Sequence, residues 1–340
     1  MQTLLLDSDD VRANAPLSAV ISAVEAAFGA DQRGTAQMPA KSYIELPKYN
    51  GDFRSMPAYL SVDADAPEVD ADEDWDAAGV KWVNVHTDNH ERGLPTVLGT
   101  MIYSDPETAF PLSIMDGREL TTLRTGAAAA VATDHLAVDD ATSLGIVGAG
   151  VQSYTQLEAI AAIRPIEEVV VADQDAERVA DFVDHFADRF DVRGGEISEA
   201  ATCDVLSTVT PVESPIVDRA VVGEHTHINA IGADAAGKHE LSDEILLDAK
   251  LVIDDHEQTT HSGEINIPYS TGTLTDDDIY GMLGEIVVGD KPGRTSDDGI
   301  SVFDSTGLAI QDVAAAHVVY TAADEAGNGT EFDLLGLGDA

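Results

Sequence analysis

Residues 144–153 read LGIVGAGVQS, a short apolar run (144–147) that ends in Gly148, Ala149 and Gly150 and passes into helix-forming residues. Glycines at a strand-to-helix junction permit a tight turn and let the backbone approach a pyrophosphate. The helix start then supplies N–H donors and the positive end of the helix dipole. Ser153 stands where the dinucleotide-binding pattern has a third glycine, and its side chain is small enough for close packing. A second strand, read at 168–172, ends at Asp173, 23 residues after Gly150. An acid at that distance accepts hydrogen bonds from a ribose hydroxyl and repels a 2′-phosphate. Gln174 beside it is not basic, so the cofactor these residues call for is NAD and not NADP.

Downstream, the spacing predicts helices at 156–163 and 176–190 and strands at 205–209, 226–231 and 251–253. Such alternation argues for a parallel sheet with helices on both faces. Upstream the pattern differs. Ser8 or Asp9 is placed to cap a helix running through Val20, Val24, Ala27 and Phe28 towards Gly34. Extended segments follow at 40–46, 53–62 and 79–85, then strands at 96–103 and 110–115, as in an antiparallel sheet. The acidic run 63–76 between them has the composition of a solvated surface loop. The change comes at Glu119, ahead of an alanine-rich helix at 123–136. A glycine-rich stretch, 299–307, leads to a last amphipathic helix at 310–323, and no pattern continues beyond Gly327.

With 18 Lys and Arg against 63 Asp and Glu, the formal charge is −45, which excludes unaided binding to nucleic acid or an anionic membrane. Hydrophobic residues at 44% are too many for a disordered acidic chain, and 340 residues suggest two domains. Scarce lysine and abundant Asp match cytosolic proteins of salt-loving organisms, where molar salt screens such charge. Cys203 is the only cysteine, so it has no partner in the chain for a disulfide, and it precedes an apolar run in which a small buried residue fits. The first ten residues lack the pattern of a signal peptide and no apolar run is long enough to span a bilayer; the expected location is cytoplasmic.

A chain with only six lysines holds few cations for chemistry, and four stand out: Lys41, Arg54, Lys81 and Arg124. An arginine fork can grip a small carboxylate, and a lysine in a dry pocket can move a proton. His225 and His227 alternate on a strand and His256 and His261 flank a turn, but without a fourth ligand or a cysteine they make exposed polar histidines and no metal site. Ser305-Thr306-Gly307 lacks the preceding glycine of a hydrolase elbow.

Eight motifs in order then carry a resemblance. They are FRSMPAYL (53–60), GVKWVNVH (79–86), GLPTV (93–97), LRTGAA (123–128), GAGVQS (148–153), IGADAAGK (231–238), HSGEI (261–265) and STGLAIQD (305–312). Together they resemble the ornithine cyclodeaminase/mu-crystallin family, the first three lying nearest its archaeal alanine dehydrogenase branch. The resemblance implies an α/β fold in which a Rossmann dinucleotide-binding domain, residues 119–304, is inserted in a discontinuous α+β substrate and dimerisation domain, residues 1–118 and 305–340. It implies a homodimer acting on a small amino or imino acid with NAD. Lys81 matches the family's active-site lysine and Arg54 its carboxylate-holding arginine. Lys41, Thr96 and Lys238 fall in motifs on the substrate side, and Arg124 where both substrate and cofactor are met. Gly148, Gly150, Val151, Gln152, Asp173, Gln174 and Asp175 would meet the dinucleotide, with Ile231, Gly232, Ala233 and Ser305 or Thr306 near the nicotinamide. Asp234 would activate water or orient Lys81 or Lys238. Three activities stay open: NAD-dependent deamination of L-alanine, ornithine cyclodeamination or ketimine reduction, and a non-catalytic dinucleotide-binding role.

Overall fold

The computed structural model describes residues 2–69 and 73–337. The chain divides into two compact units, residues 1–124 with 308–340, and residues 125–307.

The first unit is built on a mixed sheet. Its strands run in the order Thr330–Phe332, Thr3–Leu6, Pro111–Asp116, Val97–Ser104, Trp75–His86, Gly51–Val62 and Ala36–Gln37, with Ser42–Leu46 also paired to Gly51–Val62. All pairs are antiparallel except Thr3–Leu6 against Pro111–Asp116. The sheet is therefore not the purely antiparallel one the N-terminal residues suggest; the parallel strand and the tail strand lie in short segments that carry no period of their own. The single N-terminal helix expected is two, Ser8–Ala13 and Leu17–Arg33. Asp7, rather than Ser8 or Asp9, caps the first by accepting the N–H groups of Asp9 and Asp10. Pro16 separates the two, because it has no N–H to continue the first helix but suits the start of the second. The last helix, Ala309–Ala326, is buried along much of its length, and its alanines let it lie close against the sheet and Leu17–Arg33. In the acidic run, Glu68 is not solvated: its side chain is buried on the Arg33 guanidinium. Trp75 and Asp76 belong to a strand, and residues 70–72 of the run lie outside the described residues.

The second unit holds a wholly parallel eight-stranded sheet in the order Asp191–Gly194, Glu168–Ala172, Ser143–Val147, Val205–Thr208, His227–Ala230, Ser301–Asp304, Lys250–Ile253 and Ile279–Met282. The strand order reverses beside Ser143–Val147, whose neighbours are the next strand in sequence on one side and Val205–Thr208 on the other. Ligands of open α/β sheets bind at the carboxyl end of such a switch point. The helix expected at 176–190 stops at Phe186, and the chain turns into the edge strand Asp191–Gly194. The glycine-rich 299–307 contains a central strand, Ser301–Asp304, fully buried. Burial on both faces leaves no polar alternation to show it. Among the described residues no helix is long and apolar enough to cross a membrane.

Candidate active site

At the switch point, Gly148 has φ 104°, and a Cβ there would lie 3.0 Å from the Val209 carbonyl oxygen. Only glycine takes that turn without strain. Gly150 is the N-cap of the helix Val151–Ile163, with no side chain capping it and open space where its Cβ would be. The first N–H groups of a 13-residue helix thus meet no side-chain cap, the arrangement that accepts a pyrophosphate. Ser153 is buried and its hydroxyl donates to the Gly150 carbonyl at 2.6 Å, so it closes the turn where a third glycine is more common. Gln152 Oε1 is buried without a partner, and Val151 is exposed.

Asp173 follows the next strand and reaches back to this turn: its Oδ2 accepts the Ala149 N–H at 2.7 Å and its Oδ1 the Asp175 N–H at 2.9 Å. Two backbone donors fix the carboxylate while leaving lone pairs for a ribose hydroxyl. Gln174 is exposed, and Asp175 caps the helix Ala176–Phe186. This turn, helix end and fixed acid fit a dinucleotide.

The loop Ile231-Gly232-Ala233 is pinned from below by Glu240, which accepts the Gly232 N–H at 3.0 Å, the Thr208 hydroxyl at 2.9 Å and the Thr210 N–H at 2.8 Å. Burial holds Glu240 above the usual carboxylate range, and Glu264 and Asp304 beneath it well above. Asp254 likewise takes the Ser305 hydroxyl at 3.2 Å and the Thr306 and Gly307 N–H groups at 2.6 and 3.0 Å. Asp234 pairs with Lys238, four residues along the same loop.

In the first unit, Lys81 is 1% exposed on the strand Trp75–His86, opposite Met56 and Met101 of the neighbouring strands. Its ammonium donates to Asp312 Oδ1 at 2.7 Å and to Thr121 Oγ1 at 3.1 Å. Arg124 is also buried; its Nε donates to the same Asp312 oxygen at 3.0 Å and its Nη1 to Gln311 Oε1 at 3.0 Å. Loss of hydration, offset in part by Asp312 and reinforced by repulsion from Arg124 and Lys41, brings the Lys81 amine down to about 7. An amine in that range exchanges its proton at neutral pH.

Arg54 pairs across the strands with Val83, on the face that carries Lys81, and stands diagonally next to it. Its Nε and Nη2 donate to Asp52 Oδ2 at 3.1 and 2.9 Å, and its guanidinium lies over the Tyr43 ring. Thr96 is exposed beyond the far end of Val97–Ser104, its carbonyl accepting the His86 N–H. Lys81, Arg124 and Lys41 are thus brought near one another in this unit, with Arg54 beside them and Thr96 apart. Asp312 and Thr121 complete the group although neither was singled out in the sequence; the one signal for Asp312 was its place as the only acid in the first three turns of an alanine-rich helix.

His227 is not an exposed polar residue. It is buried between Ser301 Oγ at 3.0 Å and Asn229 Oδ1 at 3.2 Å, and burial pushes it down to about 3. Cys203 is buried, which raises its thiol to about 11. Among the described residues no group of three His, Cys, Asp or Glu side chains is placed to hold a metal ion.

The ornithine cyclodeaminase/mu-crystallin family profile matches residues 1–327. The chain belongs to this family. An alanine dehydrogenase of Archaeoglobus fulgidus is 45% identical over 321 residues, which cover 94% of this chain and 95% of that protein. A solved archaeal alanine dehydrogenase dimer with bound NAD superposes with a TM-score of 0.90 at 44% identity, covering 98% of this chain and 100% of that one. The Thermococcus litoralis Δ1-pyrroline-2-carboxylate reductase, solved with NADH and L-proline, gives 0.89 at 36% identity, over 96% of this chain and 99% of that one. Within the family, the parallel sheet of this chain is the Rossmann-like element, inserted between the N- and C-terminal parts of the mixed sheet.

Proposed function

We propose that the chain is an NAD-dependent alanine dehydrogenase, oxidising L-alanine to pyruvate and ammonium and running reversibly. The observation that carries this reading is the likeness, over nearly the whole chain, to archaeal alanine dehydrogenases. Gly148, Gly150, Val151, Gln152 and Asp173, with the loops that hold Ile231–Ala233 and Ser305, would hold NAD, which when bound would supply the hydride acceptor. Arg54, steadied by Asp52, takes the substrate carboxylate, with Lys41 and Arg124 adding positive charge. Lys81 accepts the substrate's ammonium proton, so that nitrogen can push electrons towards the α-carbon as the hydride leaves. Water then attacks the imine, with Asp234 as the base beside Lys238, and Lys81 returns a proton to the departing nitrogen.

The homodimer of the reading has a surface to support it. Trp82, Leu98 and Ile102 stand 41, 37 and 36% exposed on the sheet face opposite Lys81. A cytoplasm rich in salt is the setting that suits a charge of −45. A second reading, reduction of a cyclic imine, is favoured by the likeness to the pyrroline-carboxylate reductase. The test is NADH absorbance in molar KCl with L-alanine, L-ornithine and L-proline each supplied with NAD, and products identified in parallel. Net NADH with pyruvate from alanine supports the proposal. Proline and ammonia from ornithine without net NADH, or NADH from proline alone, would replace it.

A further inference from the structure

The proposed function assigns Lys81 the proton transfers but leaves unsaid what holds its amine ready. Two cations converge on one oxygen: Lys81 Nζ and Arg124 Nε both donate to Asp312 Oδ1, at 2.7 and 3.0 Å, from positions 231 and 188 residues away in sequence. All three side chains are at least nine-tenths buried, Asp312 completely. Its other oxygen, Oδ2, has no partner, nor has Gln311 Nε2 beside it. A buried carboxylate oxygen left unpaired is costly and uncommon, and a catalytic role is one of the reasons for which it is kept. Thr121 completes the geometry: its hydroxyl donates to the Gly117 carbonyl at 2.6 Å, so towards Lys81 it can only accept.

We propose that Asp312 is a positioning residue for Lys81, fixing the direction of its amine and giving it a counter-charge that Arg124 already shares. With Asp312 and Thr121 taking two of the three positions around Nζ, the third is the one through which a proton is exchanged. Arg124 is permanently charged, so the Asp312–Arg124 pair is neutral as a whole, and Lys81 faces it as a dipole with the carboxylate end nearer. A neutral pair lets the amine lose its proton without stranding a bare carboxylate. The charged groups facing Lys81 are Asp312 from the last helix, Arg124 from Gly117–Leu136, Lys41 from the segment before Ser42–Leu46 and, diagonally on the same face of the adjacent strand Gly51–Val62, Arg54; directly opposite Lys81 the adjacent strands contribute Met56 and Met101.

The inference rests on the proposed role of Lys81, but its test does not depend on turnover. Six lysines allow each Cε signal to be followed by NMR in protein labelled with 13C at lysine Cε, with the Lys81 signal assigned by its loss in Lys81→Met. In the wild type, Lys81 titrates near neutrality. Asp312→Asn keeps an acceptor oxygen but removes the charge, and should move that midpoint down by about one pH unit or more. Arg124→Gln should move it up, because the whole carboxylate charge then falls to Lys81. The acid limb of the kcat/KM profile moves with each variant, which a merely structural role would not produce. The proposal is overturned if the wild-type midpoint is that of an ordinary lysine, or if either folded variant leaves it in place or moves it the other way. Full turnover in Lys81→Met would instead remove the underlying role of the lysine, whatever Asp312 does.

Discussion

Lys81→Met exchanges a nearly fully buried amine for an apolar chain of similar length, and its consequence for stability has a sign and a slope. Burial lowers the amine from 10.5 to about 7 in the folded protein. Below the folded value both states hold the proton, and the penalty for burying the charge is present in full. Between the folded and unfolded values the unfolded chain binds one proton more, so wild-type stability rises with pH, by about 1.4 kcal/mol per unit. Above the unfolded value the penalty is gone. Methionine carries no proton and lacks this slope. The stability of wild type minus variant should therefore climb by about 3 kcal/mol from about pH 7.5 to about 9.5 and be flat below neutrality. The lost bonds to Asp312 and Thr121 displace the whole curve by a further amount on the order of 1–3 kcal/mol without creating a slope. Urea unfolding of both proteins in molar KCl at several pH values measures the difference. Turnover in the variant should fall about 10²–10⁴-fold, the usual worth of a positioned proton carrier, with NAD affinity kept. A stability difference that does not change with pH would refute the claim that Lys81 is desolvated and poised.

Four further outcomes follow from the second unit and the surface. Asp173→Ala should weaken NAD about 10–100-fold, the worth of hydrogen bonds to a charged group, as titration of cofactor fluorescence would show; unchanged affinity removes its ribose role. Gly150→Ala should leave the unfolding midpoint within about 0.5 kcal/mol, since its φ is −83° and its Cβ meets nothing, yet impair NAD binding. Gly148→Ala, forced into φ 104°, should instead destabilise the fold by about 1–3 kcal/mol. With a charge of −45, the urea midpoint should fall as KCl is lowered from molar to millimolar, and equal stability at both would contradict the salt-adapted reading.

Much of the fold was legible where period and punctuation agree. The strand Glu168–Ala172 is apolar and buried after its first residue, and Ser143–Val147 announces its end with Gly148. The sequence was mute where an element is short or buried on both faces. Thr3–Leu6 has four residues, and Ser301–Asp304 hides among glycines because the sheet supplies its context. Pro16 marks a break that the apolar spacing around it bridges. Of the candidate site, Lys81 and Arg124 stood out as rare cations in an acidic chain. Asp312 could not, because in a chain with 63 acids one more carries no signal. Its meaning comes from two buried partners some two hundred residues earlier, which only the folded chain brings to it.

The central claim, hydride transfer from the α-carbon of alanine to NAD, is tested most directly with L-alanine deuterated at that carbon. The account predicts that deuterium enters the reduced nicotinamide, with one pyruvate formed for each NADH and a slower rate wherever chemistry limits turnover. NADH without deuterium, or pyruvate formed without NADH, would contradict it.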